Sequence, residues 1–170
     1  EGAVHMSGFT LPDGEVLLTV RATNGAAESN ATSLVLGVDT GVPSCGDGVS
    51  LRGAAPTADM SYTNVADGLY ASWSCSDAAP WEDAPLSCEW AVGSYPGGDD
   101  ARAWSAAEPN GTHTWVGATL LNGVSYFVAV RCADQVNHTA VVVSGGLMLD
   151  IEGPRVTVPA AVVSQESGNV

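Results

Sequence analysis

The stretch Tyr126-Phe127-Val128-Ala129-Val130-Arg131-Cys132 decides the fold of this chain. Every second side chain from Tyr126 to Cys132 is apolar, so these side chains point to one face of a β-strand. A similar alternation occurs at 69–75 and at 88–92, and a further strand is predicted at 147–150. Because 20 Gly and 9 Pro interrupt the chain too often for amphipathic helices, the sequence predicts an all-β protein.

A second feature is an internal repeat with an offset of about 110 residues. The first copy contains Gly8, Thr10, Leu11, Gly14, Val20, Arg21, Asp39 and Pro43, and the second contains Gly117, Thr119, Leu120, Gly123, Val130, Arg131, Asp150 and Pro154. The repeat predicts a tandem array. In this array, residues 1–43 are the C-terminal strands of a preceding repeat, residues 44–154 form a complete repeat, and residues 155–170 start a following one.

The complete unit contains about seven predicted strands when three weaker segments are included. These weaker segments lie near 49–51, 103–105 and 113–116. About seven short strands in a unit of this size are typical of an antiparallel two-sheet β-sandwich. The sequence therefore predicts a sandwich, repeated in tandem.

The order of these residues resembles the fibronectin type III fold and related Ig-like sandwiches. Trp73 lies on the second predicted strand, and the segment Leu120-Leu-Asn-Gly123 precedes the sixth. The core of that sixth strand is the Tyr-x-Val-x-Val segment that runs from Tyr126 to Val130. The resemblance implies architecture more firmly than function, since one sandwich supports many tasks.

A narrower resemblance concerns three short motifs. They are Trp73-Ser-Cys-Ser-Asp77, Cys88-Glu-Trp-Ala-Val-Gly93 followed by Pro96-Gly-Gly98, and Val20-Arg-Ala-Thr-Asn-Gly25. These motifs are similar to repeats of very large algal and protist cell-surface glycoproteins, including those of the ciliary (flagellar) membrane and of mastigonemes. The resemblance implies a structural role at a cell or ciliary surface.

All four Cys lie in the complete unit, at Cys45, Cys75, Cys88 and Cys132. They form no C-x-x-C pair and have no His at zinc-ligand spacing, so two disulfides are predicted and a zinc site is not. Three connectivities are open. We favour Cys45 with Cys75 and Cys88 with Cys132, since each pair would join neighbouring strands of one sheet in the resembled fold. Pairing Cys75 with Cys88 would only close the loop between them.

Three N-x-S/T sequons predict N-glycosylation, at Asn30, Asn110 and Asn137. Disulfides form in oxidising compartments. Together these features indicate an extracellular or cell-surface protein, and the narrower resemblance implies the ciliary surface.

The charge balance is strongly acidic, with 19 Asp and Glu against 5 basic residues and a net charge of −14. Such a surface repels phosphate backbones and anionic lipid. The sequence also lacks an apolar run long enough to span a bilayer. We therefore expect no nucleic-acid partner and no direct membrane insertion by this segment.

The sequence indicates no catalytic residues. The three His, His5, His113 and His138, belong to no G-x-S-x-G or H-E-x-x-H motif. The carboxylate pairs Glu82-Asp83 and Asp99-Asp100 lie in loops, whereas a glycosidase pair must face across a cleft. We therefore expect that the protein is not an enzyme.

Calcium is the one cofactor that the carboxylates suggest. Asp39 and Asp150 occupy equivalent positions before the linker prolines, and Asp99-Asp100 follow a Pro-Gly-Gly turn. The sequence has no calcium-loop pattern, and a turn Asp commonly accepts hydrogen bonds from backbone amides instead. No metal ligand and no cofactor are therefore assigned, and calcium stays as the alternative.

The five Trp bear on the choice between two functions. Trp73 and Trp90 alternate with core residues and are expected inside, whereas Trp81, Trp104 and Trp115 could be exposed for stacking against sugars. We predict a structural or adhesive segment of an extracellular tandem-repeat glycoprotein. Its partners would be neighbouring repeats, other copies of such glycoproteins, and glycans. The alternative is a carbohydrate-binding β-sandwich module.

Overall fold

The computed structural model describes residues 5, 7–52, 61–78, 85–116, 119–155 and 157. Every helix or strand in these ranges is a β-strand, which confirms the all-β prediction. The strands are β1 (Gly14–Thr23), β2 (Ser29–Val38), β3 (Ser50–Arg52), β4 (Tyr62–Thr63), β5 (Gly68–Ser74), β6 (Ser87–Gly93), β7 (Arg102–Ala107), β8 (Asn110–Val116), β9 (Ser125–Ala133), β10 (Thr139–Val143) and β11 (Leu147–Leu149). A search of the same ranges for a helix able to span a membrane finds none. Apart from residues 155 and 157, the predicted start of a following repeat lies outside the described residues.

The strands form three sheets. Strands β1 and β2 make a hairpin, and a three-stranded sheet has the order β3-β5-β8. The largest sheet has the order β4-β11-β9-β6-β7, with β10 also paired to β9. All pairings are antiparallel except that of β4 with β11, which is parallel and differs from the expected antiparallel sandwich.

Two segments occupy the place of the last predicted strand. Strand β10 pairs with the part of β9 from Ala129 to Ala133, whereas β11 pairs with Ser125 and Tyr126. Between the two segments, the buried Ser144 accepts a hydrogen bond from the amide of Val128 at 2.9 Å through its hydroxyl. The hydrogen bonds along this edge of β9 therefore continue across the gap between β10 and β11.

The three-stranded sheet and the largest sheet share one hydrophobic core. Leu69 and Trp73 of β5 belong to the same buried cluster as Trp90 of β6 and Val130 of β9. The rings of Trp73 and Trp90 lie 5.9 Å apart between centroids, and the Trp73 indole donates a hydrogen bond to the carbonyl of Glu108. This arrangement is compatible with a β-sandwich. The predicted alternation in β9 is confirmed, because Tyr126, Val128, Val130 and Cys132 are all buried.

The β1–β2 hairpin has a different surface. Its strands pair in an unbroken register from Gly14 opposite Val38 to Thr23 opposite Ser29. Large apolar side chains stand exposed on both strands, including Leu17 at 64% and Leu34 at 57%. The hairpin is therefore a regular β-ribbon whose apolar side chains are uncovered.

Candidate functional site

Two disulfides lie side by side at one end of the core. Cys45 is bonded to Cys75, and Cys88 to Cys132, which is the pairing favoured from the sequence. Cys88 and Cys132 stand directly opposite each other in β6 and β9. The sulfur atoms of Cys45, Cys75 and Cys132 lie within 4.8 Å of one another, so the two bridges meet within the core. We call this end of the domain the cystine pole.

The cystine pole gathers three chain segments. Asp77 follows Cys75 closely in sequence, and Asp134 follows Cys132 in the same manner. Ser44 and Ser76 exchange two backbone hydrogen bonds of 2.8 Å, which hold the linker at 39–44 beside the end of β5. The linker, the segment after β5 and the β9–β10 loop are therefore neighbours.

Asp134 organises the β9–β10 loop. Its side chain is only 1% exposed, and its Oδ1 accepts hydrogen bonds of 2.8 Å from the amides of Val136 and His138. Its Oδ2 lies 2.9 Å from Nδ1 of His138. Burial opposes ionisation of Asp134, but the two amides and the His138 ring outweigh it, so the pKa of this carboxyl lies below its ordinary value. The pole thus holds a buried carboxylate.

Two further carboxylates border the same space. One ligating atom from each of Asp39, Asp134 and His138 can be chosen so that all three lie within 4.8 Å of one another. A Cβ added to Gly41 would lie 3.1 Å from Asp39 Oδ1 and 3.8 Å from Asp77 Oδ1. Within the described part of the chain, Asp77 Oδ2 is buried without a hydrogen-bond partner. We call Asp39, Asp77, Asp134 and His138 the junction cluster.

The carboxylates expected to suit calcium are mostly engaged in turns. Asp39 Oδ1 accepts from the Gly41 amide at 2.8 Å, and Asp150 Oδ1 accepts from the Glu152 amide at 3.2 Å. Asp100 accepts from the amide and the hydroxyl of Ser94, at 2.9 and 2.7 Å. Among the expected carboxylates that the structure describes, only Asp39 belongs to a group that could hold a metal ion.

Sequence reasoning missed the other three members of the junction cluster. Asp77 and Asp134 are far apart in the chain, and each follows a Cys of a different disulfide at the point where the two disulfides meet in the core. The internal repeat offered one signal, since Asn24 occupies the place of Asp134 in the first copy. A polar residue at that position in both copies indicates a shared loop structure.

The structure contains that loop twice. In the β1–β2 hairpin, Asn24 Oδ1 accepts hydrogen bonds of 3.0 Å from the amides of Ala26 and Glu28, as Asp134 Oδ1 does from Val136 and His138. Ala27 has a φ of 62° and its counterpart Asn137 a φ of 68°. Non-glycine residues rarely adopt this conformation, so the match is specific.

The linker that follows each hairpin is also repeated. The amide of Thr40 donates to Oδ1 of Asp13 at 2.8 Å, and the amide of Ile151 donates to Oδ1 of Asn122 at 2.9 Å. The offset is 109 between the two acceptors and 111 between the two donors, close to the offset of 110 between the two loops. The residues after β2 and after β11 therefore leave their strands in the same way.

The three predicted glycosylation sites are accessible. Asn30 in β2, Asn110 in β8 and Asn137 in the β9–β10 loop are all exposed. The Asn110 side chain accepts a hydrogen bond of 2.7 Å from the Ser74 hydroxyl. Exposure permits modification, and glycosylation at these residues stays a prediction.

The Trp side chains divide as follows. Trp73 and Trp90 are buried, as expected from their alternation. Trp115 is half-buried and packs against the core. Trp104 is half-buried beneath the guanidinium of Arg131, which lies 4.2 Å from the ring centroid and is paired with Glu89. Trp81 lies outside the described residues.

The described part of the chain does not bring the residues considered for catalysis together in one site. His138 contacts Asp134 in the loop, His5 is exposed, and Glu82 and Asp83 lie outside the described residues. A cavity elsewhere among the described residues is bordered by Ser94, Asp100, Trp115 and Tyr126. Comparison with known proteins adds nothing to the site, since no protein-family model, curated protein or solved structure matches the chain.

Proposed function

We propose that this chain is a structural or adhesive segment of an extracellular glycoprotein built from tandem β-sandwich repeats. Residues 1–43 would be the last strands of one sandwich, residues 44–154 a complete one and residues 155–170 the start of the next. The observation that carries the proposal is that the β1–β2 hairpin and its linker reproduce the hydrogen bonds of the β9–β10 hairpin and its linker.

Differences in burial between the two copies support this division. Val20 is 54% exposed, whereas its counterpart Val130 is fully buried. Val130 lies in β9, which has β6 on its other edge and the β3-β5-β8 sheet across the core, whereas among the described strands β1 pairs only with β2. The exposed side chains of β1 would acquire the same cover from the missing strands of a preceding sandwich.

A single hydrogen bond supports the fibronectin type III or Ig-like assignment. The hydroxyl of Tyr126, near the start of β9, accepts a bond of 2.9 Å from the amide of Leu121. A tyrosine that bonds back to the backbone a few residues upstream of this strand is a feature of Ig-like sandwiches. The pairing of β3, β5 and β8 on one side and of β6, β7 and β9 on the other agrees with that layout.

The surface favours a location outside the cell. Two disulfides are typical of an oxidising compartment, and the three sequons are exposed. A net charge of −14 makes copies of the chain repel one another, and glycans would cover the strand edges near them. In a coat, fibre or ciliary surface, the partners would be neighbouring repeats and related glycoproteins, with no catalytic role for this segment.

Mass spectrometry of the protein from its native source tests this assignment. We expect two disulfides and N-linked glycans on Asn30, Asn110 and Asn137. Light microscopy with an antibody to the chain should label the cell or ciliary surface of unpermeabilised cells. Free thiols with an unmodified mass, or labelling only after permeabilisation, would contradict an extracellular location.

A carbohydrate-binding module is the competing function, and fluorescence separates the two. A structural segment should show no saturable quenching of Trp emission by soluble polysaccharides. Quenching that saturates in the wild-type protein and is lost in Trp104→Ala or Trp81→Ala would establish sugar binding instead. Trp90→Phe serves as the control, because Trp90 is buried in the core.

A further inference from the structure

The junction cluster combines the features of a small metal site. Its members come from the linker, from the segment after β5 and from the β9–β10 loop. Asp39, Asp134 and His138 bring ligating atoms within 4.8 Å of one another, a spread that one bound cation can satisfy. Hydrogen bonds from the Val136 and His138 amides hold Asp134 in place, so this ligand is fixed in advance.

Asp77 supplies an independent observation beside this group. Its Oδ2 is buried and unpartnered within the described residues, although an unpaired buried carboxylate oxygen is costly. Any side chain at Gly41 would enter the space that Asp39 and Asp77 border, because a Cβ added there would lie 3.1 Å from Asp39 Oδ1. The other oxygen of the Asp77 carboxylate, Oδ1, would lie 3.8 Å from the same Cβ, so this carboxylate lies beside that of Asp39.

We propose that Asp39, Asp134 and His138, with Asp77 beside them, bind one divalent transition-metal ion of the Zn²⁺ class. An imidazole nitrogen among carboxylates suits Zn²⁺. Calcium prefers about six to eight oxygen ligands, and an imidazole nitrogen is not among them. His138 Nδ1 lies 2.9 Å from Asp134 Oδ2, so a metal ion bound by both atoms would replace the hydrogen bond between them.

The consequence of binding concerns the linker, and this inference rests on the proposed tandem array. Asp39 leads out of the β1–β2 hairpin, whereas Asp134 and His138 belong to the domain that follows. A metal ion held between them would fix the angle between successive repeats. The disulfides position the domain side of the site, since Asp77 and Asp134 follow Cys75 and Cys132.

Calorimetric titration of the metal-depleted 170-residue chain with ZnCl₂ tests the site. We expect saturable binding of one ion, weakened at least about tenfold in Asp39→Asn and in His138→Gln. Asp150→Asn is the matched control, because Asp150 occupies the equivalent linker position away from the cluster. Binding to this variant should equal that of wild type. Unfolding curves recorded in a chelator establish that each variant is folded.

Hydrogen exchange supplies a second measurement. We expect Zn²⁺ to slow amide exchange at 39–44 in wild type and in Asp150→Asn, but not in Asp39→Asn. Absence of Zn²⁺ binding, wild-type affinity in Asp39→Asn, or displacement of Zn²⁺ by an equal concentration of Ca²⁺ would overturn the proposal. Deleting residues 1–40 in metal-free buffer tests the repeat boundary separately, so failure of the metal site and failure of the tandem array are distinguishable.

Discussion

At the residue scale, a few buried polar side chains fix the loops of the domain by bonding backbone groups. Asp134 and Ser144 are both buried. Asp134 accepts hydrogen bonds from two amides of the β9–β10 loop, and Ser144 accepts one from the amide of Val128, between the parts of β9 that pair with β10 and β11. The Tyr126 hydroxyl does the same for Leu121. Because a buried amide without a partner is destabilising, each of these side chains determines a local backbone path.

Removing the Tyr126 hydroxyl tests this role. Tyr126→Phe leaves the Leu121 amide without its acceptor, so we expect a loss of about 1–2 kcal/mol in the free energy of unfolding. Urea denaturation measures the change. Tyr95→Phe is the control, since Tyr95 is exposed and should change stability by less than about 0.5 kcal/mol. Equal losses in the two variants would contradict the assignment.

Asp100 should make stability depend on pH. Hydrogen bonds from the Ser94 hydroxyl and amide hold the pKa of Asp100 below its ordinary value. A carboxyl whose pKa is lower in the folded state stabilises the fold above its unfolded pKa of about 3.9, and this contribution is lost as pH falls through the folded pKa. Wild type should therefore exceed Asp100→Asn in stability at neutral pH, and the difference should vanish in acid.

Urea denaturation at a series of pH values measures that difference. Asp99→Asn is the control, because it removes a neighbouring charge without touching the two bonds to Ser94. A gap between wild type and Asp100→Asn that stays constant from neutral to strongly acidic pH would contradict the prediction.

At the element scale, strands with strong alternation were predictable and strands defined by their neighbours were not. The predicted segments at 69–75 and 88–92 correspond closely to β5 and β6. Strand β4 has only two residues and exists through its parallel pairing with β11, which no local pattern specifies. Strand β10 has the sequence Thr-Ala-Val-Val-Val, in which apolar residues run without alternation.

The candidate site was less predictable than the strands. Asp39 could be singled out from the repeat, but Asp77, Asp134 and His138 are brought to it by strand pairing and disulfides. Proximity of this kind depends on which strands adjoin in the folded sheets. The pattern of any single segment does not contain that information.

Equivalent valines in the two hairpins give a matched experiment. Val130→Ala removes two methyl groups from a fully buried site in β9 and should cost about 2 kcal/mol. Val20→Ala changes the equivalent position in β1, where the side chain is 54% exposed, and should cost less than about 0.5 kcal/mol. Chemical denaturation compares both with wild type, and similar losses would show that β1 is covered within this chain.

A close approach of backbone in the β6–β7 turn gives a prediction at the same scale. A Cβ added to Gly93 would lie 2.4 Å from the carbonyl carbon of Gly98, so Gly93→Ala must displace the backbone of the turn. We expect a loss of about 1–3 kcal/mol, measured by denaturation. Gly145→Ala is the control, because its added Cβ would meet no atom within 4 Å and should be nearly neutral.

At the scale of the whole molecule, the chain combines one sandwich-like core with a hairpin that repeats part of it. The core and the two disulfides belong to the residues from Cys45 to Leu149. The hairpin contributes exposed apolar side chains and the linker residue Asp39. This division agrees with the proposed tandem array, in which each sandwich would hold its own core.

Thermal unfolding of residues 41–170 beside the 170-residue chain, both in chelator, tests this division most directly. The shorter chain retains the buried Pro43 and the pairing of Ser44 with Ser76. If residues 1–40 belong to another sandwich, their removal should shift the melting temperature by less than about 2 °C. A fall of more than about 8 °C, or failure of the shorter chain to fold, would show that the hairpin is an integral part of this domain and would contradict the tandem-repeat account.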